Sequence, residues 1–80
     1  MDEEHNAARA FELGRSIAER RKEFGITQEE LAALSGLSAR SLGLMEAGRS
    51  NPRLSSLLAI TQILGLELEL TPRAGVGKTA

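Results

Sequence analysis

Apolar residues recur at helical spacing through most of this chain and switch to strict alternation only near its end. From Ala7 to Phe24 no proline interrupts a stretch rich in Ala, Glu and Arg. Phe11, Ile17, Ala18 and Phe24 give that stretch an apolar side, which predicts a long amphipathic helix whose pattern is firm from Leu13 onward. Gly25 ends it as a C-terminal cap. Thr27 opens a second helix, with Glu30 three residues on to complete a capping box and Leu31, Ala32 and Leu34 as its buried side. Gly36 stops it. Ser38 is the next N-cap, and Leu42 and Met45 are the apolar pair of a third helix over 39–47 that Gly48 closes. The run RSNPR reads as a loop, because Pro52 moves Asn51 away from helical angles. Leu54, Leu57, Leu58, Ile60, Ile63 and Leu64 then predict a fourth helix, capped by Ser50 or Ser55 or entered near Arg53, and ended by Gly65. After it, Leu66, Glu67, Leu68, Glu69 and Leu70 alternate as a strand with one apolar face does. The tail from Pro72 is glycine-rich and polar, hence mobile by expectation.

The third helix poses the functional question. Leu42 and Met45 turn one side inward, while Ala39, Arg40, Gly43 and Leu44 occupy the other. A glycine inside a helix costs about 0.5–1 kcal/mol relative to alanine, and a leucine off the buried face gains nothing from burial. Such a surface suits contact with something else. Two short helices joined by a glycine turn, with small Ala32 allowing close approach, describe a helix-turn-helix unit.

Composition narrows the choices. Eighty residues make one domain with a modest core, for which a second chain is a reasonable source of stability. There is no cysteine, hence no disulfide framework or thiolate metal site. No apolar run approaches the roughly 18 residues of a membrane span, and the polar, acidic MDEEHN start is unlike a signal peptide, so a cytoplasmic protein is expected. The net charge of -1 conceals a gradient. The first dozen residues are acidic through Asp2, Glu3, Glu4 and Glu12, whereas Arg15, Arg20, Arg21, Lys22, Arg40, Arg49 and Arg53 make the middle mildly basic, enough for a local phosphate-facing surface. Catalysis has little to work with: a single histidine, His5, lies near the terminus, and GVGKT lacks the strand–loop–helix setting of a nucleotide site. No catalytic residue, metal or cofactor is expected.

The combination of motifs resembles the lambda-repressor-like, or Xre-type, helix-turn-helix family across about residues 13–66. Arg21, Thr27-Gln28-Glu29-Glu30-Leu31-Ala32, Gly36, Ser38, Glu46-Ala47-Gly48-Arg49, Pro52, Leu57 and Leu64-Gly65 carry the match. The resemblance implies an ion pair between Arg21 and Glu46, tying the first helix to the end of the third; the plain alternative is two solvated charges worth little. It also implies that Gln28 contacts a DNA phosphate beside the amides of a helix N-terminus, against which stands an ordinary first-turn polar residue. In the motif the third helix enters the major groove by its N-terminal residues, which by position are Ser38, Ala39, Arg40, Ser41 and Leu44. Arg40 suits the O6 and N7 of guanine, and Ala39 and Leu44 suit thymine methyls; a phosphate contact is the alternative for Arg40. Arg49 and Arg53 in the following loop are candidate phosphate contacts.

A lone five-residue strand cannot satisfy its own backbone. Two copies paired antiparallel would place Leu66, Leu68 and Leu70 on both helical bodies, dimerise the chain and space two recognition helices about 34 Å apart for a palindromic operator. The expected architecture is therefore an all-α helix-turn-helix domain of four main helices plus one short C-terminal β-strand pairing between subunits. Residues 1–12 form an N-terminal extension, 13–65 the DNA-binding domain, 66–71 the dimerisation strand and 72–80 a flexible tail. Within the family this arrangement looks most like HipB-type antitoxins, which implies an autoregulating repressor in a bacterial cytoplasm, on the nucleoid, with a HipA-type kinase toxin as partner. A stand-alone regulator, and a protein-interaction module with weak DNA binding, are the competing readings.

Overall fold

The computed structural model describes residues 3–72, so residues 1–2 and the expected mobile tail beyond Pro72, with its GVGKT run, lie outside it. Four helices follow in order: α1 Glu3–Glu23, α2 Gln28–Ser35, α3 Ala39–Glu46 and α4 Leu54–Leu64. α1 runs without a break through the junction of the expected N-terminal extension and domain.

Local chemistry sets the boundaries. The Thr27 hydroxyl accepts from the Glu30 amide at 3.0 Å and the Glu30 carboxylate accepts from the Thr27 amide at 2.8 Å, so the capping box of α2 is complete. α2 stops at Gly36, whose φ of 76° is cheap only for glycine. The next amide, of Leu37, returns to the Ala32 carbonyl at 2.9 Å. Ser38 caps α3 by accepting from the Ser41 amide at 3.0 Å. α4 is entered at Arg53 with no side-chain cap, which settles the three starts open from the sequence in favour of Arg53.

The core is Ile17, Leu31, Ala32, Leu42, Met45, Ile60 and Leu64, so every helix contributes. α3 packs against α1 and α2, and α4 packs against the same two helices from another side. Arg20 ties α1 to the end of α4, its Nε donating to the Leu64 carbonyl at 2.8 Å at a helix terminus that favours positive charge.

Several apolar residues fall elsewhere than expected. Leu34 is 64% exposed: with 100° per residue, the buried side of α2 bisects Leu31 and Ala32, and Leu34 lies roughly 110° from that line. Phe11 and Phe24 are about half exposed; Phe24, past the end of α1, lies under the Arg20 guanidinium, 4.8 Å from the ring centre. The inward position near Phe11 is instead Gly14, which the periodicity does not mark. A Cβ on Gly14 would collide with the Met45 carbonyl and lie 2.6 Å from the Glu46 carbonyl. α1 thus rests directly on the last turn of α3. The expected strand is absent among the described residues: 66–72 has no regular structure. Apart from the Leu66 amide bonding the Thr61 carbonyl, this segment makes no backbone–backbone hydrogen bond with the described residues. Leu66 packs on the core, whereas Leu70 is 99% exposed.

Two glycine substitutions should therefore act in opposite directions. Gly14→Ala is expected to destabilise by about 1–3 kcal/mol through overpacking. Gly43→Ala, whose Cβ would meet only the Gln28 amide at 3.6 Å, is expected to stabilise by about 0.5–1 kcal/mol. Urea unfolding measures both.

Candidate nucleic-acid interface

α3 is eight residues long, too short to persist alone in water, so its surface exists only because its other side is anchored. Leu42 and Met45 supply the apolar anchor and Glu46 the polar one. The Glu46 carboxylate takes two parallel hydrogen bonds from Arg21, Nε to Oε2 at 2.8 Å and Nη2 to Oε1 at 3.0 Å. Arg21 Nη1 donates to the Ile26 carbonyl at 2.9 Å, so the guanidinium also holds the turn between α1 and α2. Both charges are buried, with side chains 11% and 6% exposed. Burial alone would raise the Glu46 carboxyl, but hydrogen bonds from Arg21 and Gln28, and the charges of Arg21 and Lys22, hold it below its usual value of 4.5. The hydrogen bond to Glu46 raises Arg21 further above its ordinary range, against desolvation.

Gln28, the first residue of α2, donates from Nε2 to Glu46 Oε1 at 2.9 Å. The amide passes beside Gly43, and so lies next to the outer side of α3. Arg40 and Ser41 are exposed there and Gly43 and Leu44 are half-buried, whereas Ala39, grouped with them by the sequence, is half-buried and packs against the core. Ser38 both caps α3 and donates to the Ser41 hydroxyl at 2.9 Å. Ser41 and Leu44 face Arg53 across a groove of about 450 Å³ between α3 and the loop that leads to α4. Ser50, whose buried hydroxyl has no hydrogen-bond partner among the described residues, lies in the same wall. Arg49 lines a different groove, with Asn6, Ala7 and Ala10 of α1. Gln28, Ser38, Ala39, Arg40, Ser41, Leu44 and Arg53 thus border α3, and Arg49 sits at its far end beside α1. Leu68 and Leu70 lie apart from all of these, at the rim of an open groove shared with Arg9, Leu13 and Ser16 of α1.

Three contributors carry no signal in the apolar pattern. Gly14 and Gly48 let α1 approach the end of α3 and its loop; a Cβ on Gly48 would fall 2.6 Å from the Phe11 Cα. An interior glycine in a helical stretch is the available cue to Gly14. The bond from Gln28 to Glu46 has none.

The chain is similar to known proteins in sequence and in fold. A profile of the Helix-turn-helix family matches residues 17–70. An uncharacterized HTH-type transcriptional regulator of Sinorhizobium fredii is 43% identical over 54 residues, covering 68% of this chain and 70% of its own length. A second uncharacterized regulator of that type, from Haemophilus influenzae, is 36% identical over 52 residues, 65% of this chain and 53% of its own. Among solved structures, the restriction-modification controller protein C.AhdI from Aeromonas hydrophila superposes with a TM-score of 0.72 at 34% identity, over 76% of this chain and 88% of that one. No helix among the described residues is long and apolar enough to cross a membrane.

The buried pair makes a signed expectation. Arg21→Met leaves the Glu46 charge buried without its partner and should destabilise by about 3–5 kcal/mol in urea unfolding at neutral pH. In the wild type, stabilisation from the depressed Glu46 carboxyl is fully present above 4.5 and is lost as pH falls through the lower folded value. In Arg21→Met the loss should vanish or reverse, because burial then favours the protonated acid.

Proposed function

Because the chain belongs to the Xre-type helix-turn-helix family of DNA-binding transcriptional regulators, we propose that it is a sequence-specific repressor that lays α3 in the major groove of its operator. The observation that carries this is the division of α3. Leu42, Met45 and Glu46 are spent on the body, and the outer side holds the exposed Arg40 guanidinium, which has no ion-pair partner among the described residues. Arg40 is the reader of guanine O6 and N7, and Ala39 and Leu44 meet thymine methyls. Ser38 and Ser41 approach base edges at the N-terminus of α3, where the motif enters the groove. Gln28, Arg49 and Arg53 hold phosphates and fix the register; the uncapped start of α4 at Arg53 supports that site, since free amides there favour an anion.

The repressor acts as a homodimer on a palindromic operator. Support comes from the segment after α4: alternating leucines, an exposed Leu70 and a backbone that past Leu66 makes no backbone–backbone hydrogen bond with the described residues. A second copy of residues 66–71, paired antiparallel, would satisfy that backbone and cover Leu66, Leu68 and Leu70. The same segment favours a second reading, a HipB-type antitoxin that binds a HipA-type kinase, for which a kinase-like reading frame beside the gene is the check. The relatives bear the names of regulators, which supports the stand-alone repressor first.

Mobility-shift titration against the chain's own upstream DNA in increasing salt tests the repressor. The wild type should retard that DNA specifically; failure to do so removes the reading. Arg40→Ala should lose about 1–3 kcal/mol of discrimination between operator and unrelated DNA, whereas Arg53→Ala should weaken both alike and lower the salt slope by about 1. Light scattering tests the assembly: Leu68→Asp should be monomeric, and a dimeric variant would refute the paired strand.

A further inference from the structure

We propose that Glu46, beyond locking α3 to α1, is a positioning residue that orients the Gln28 amide toward DNA, so that one carboxylate links three helices to the contact surface. The inference rests on the DNA-binding reading of α3 and adds to it a role for the buried pair. Glu46 Oε1 accepts from Arg21 Nη2 at 3.0 Å and from Gln28 Nε2 at 2.9 Å, while Oε2 is taken by Arg21 Nε. Arg21 comes from α1, Glu46 from α3 and Gln28 from α2.

Each end of Gln28 is thereby fixed. Its backbone follows Thr27, which the capping box holds, and its side chain is tied at the tip by a charge-assisted hydrogen bond, the stronger kind. A glutamine at a helix start would otherwise sample many rotamers and lose that freedom on binding. Glu46 is the only hydrogen-bond partner of the Gln28 side chain among the described residues, which leaves the second N–H and Oε1 for a ligand. Gly43 keeps this amide open: the place where its Cβ would stand is 3.6 Å from Gln28 Oε1 and 3.9 Å from Nε2, so no side chain on α3 shades it there. An amide already held in place binds a phosphate oxygen with less ordering than a free one. Glu46 can sit so near the backbone of DNA because Arg21 neutralises it.

The test uses the full chain, labelled with 15N. The Gln28 side-chain amide is assigned by its loss in Gln28→Met, and its mobility is compared with that of Gln62, which is exposed. The expected result is an ordered Gln28 amide in the wild type without DNA. A Gln28 amide as mobile as that of Gln62 overturns the proposal without any further variant. The combined change Arg21→Met and Glu46→Leu removes the carboxylate without stranding a buried charge and should release the Gln28 amide to the mobility of Gln62. Against the operator, Gln28→Met should bind about 3- to 10-fold more weakly, the double variant at least as much more weakly, since it also loosens α3, and the triple variant no more weakly than the double. Losses that multiply in the triple variant, or an amide unmoved in the double, overturn the positioning role while the DNA-binding reading stands. If the wild type does not bind the operator, that reading falls, and the amide measurement still decides whether Glu46 orders Gln28.

Discussion

The eight-residue helix α3 is held in place by a carboxylate that water hardly reaches. α3 lacks the length to be helical by itself, and its apolar anchor is small: Leu42 and Met45 are buried, with Ala39 packed against the same core. Glu46 completes the buried side, but a buried carboxylate is tolerable only when paired and hydrogen-bonded. Arg21 meets that condition with two bonds, and its remaining Nη1 holds the turn into α2. The orientation of α3, the turn before α2 and the placing of Gln28 all depend on this one pair. Such a pair contributes geometry more than net stability, since apolar residues of similar volume often serve as well for stability alone.

Close packing of α1 is the second requirement. Arg21 reaches Glu46 because α1 lies against the last turn of α3, and it lies there because Gly14 and Gly48 present no Cβ at the contact. The outer residues of α3 then project from a platform of three helices. Arg20 extends the same platform to the end of α4, where the chain turns at Gly65 into the segment assigned to dimer formation.

Features made by local chemistry were legible in the sequence. The Thr27 capping box, the Ser38 cap and the left-handed turns at Gly36 and Gly65 depend on residues within a few positions of each other, and the helices begin and end close to where those residues stand. Features made by tertiary approach were not. Leu34 has helical spacing with Leu31, yet the neighbouring helices lie on the side bisected by Leu31 and Ala32. Gly14 looks like a weak point in a helix until α3 is laid across it. The pair of Arg21 and Glu46, 25 positions apart, was reached through family resemblance and not through spacing, and the third partner Gln28 was read as a phosphate contact or an ordinary first-turn polar residue, never as a partner of Glu46. Residues 66–70 show the remaining difference: alternation marks which side chains share a face, but a strand exists only beside another strand.

The central claim is that the bare side of α3 reads base edges in the major groove. Dimethyl sulfate footprinting of the DNA upstream of the gene addresses it most directly, because methylation occurs at guanine N7, the atom assigned to Arg40. Two symmetry-related sets of protected guanines, about one helical turn apart, are expected. Retardation of the DNA with no guanine N7 protected would contradict the claim.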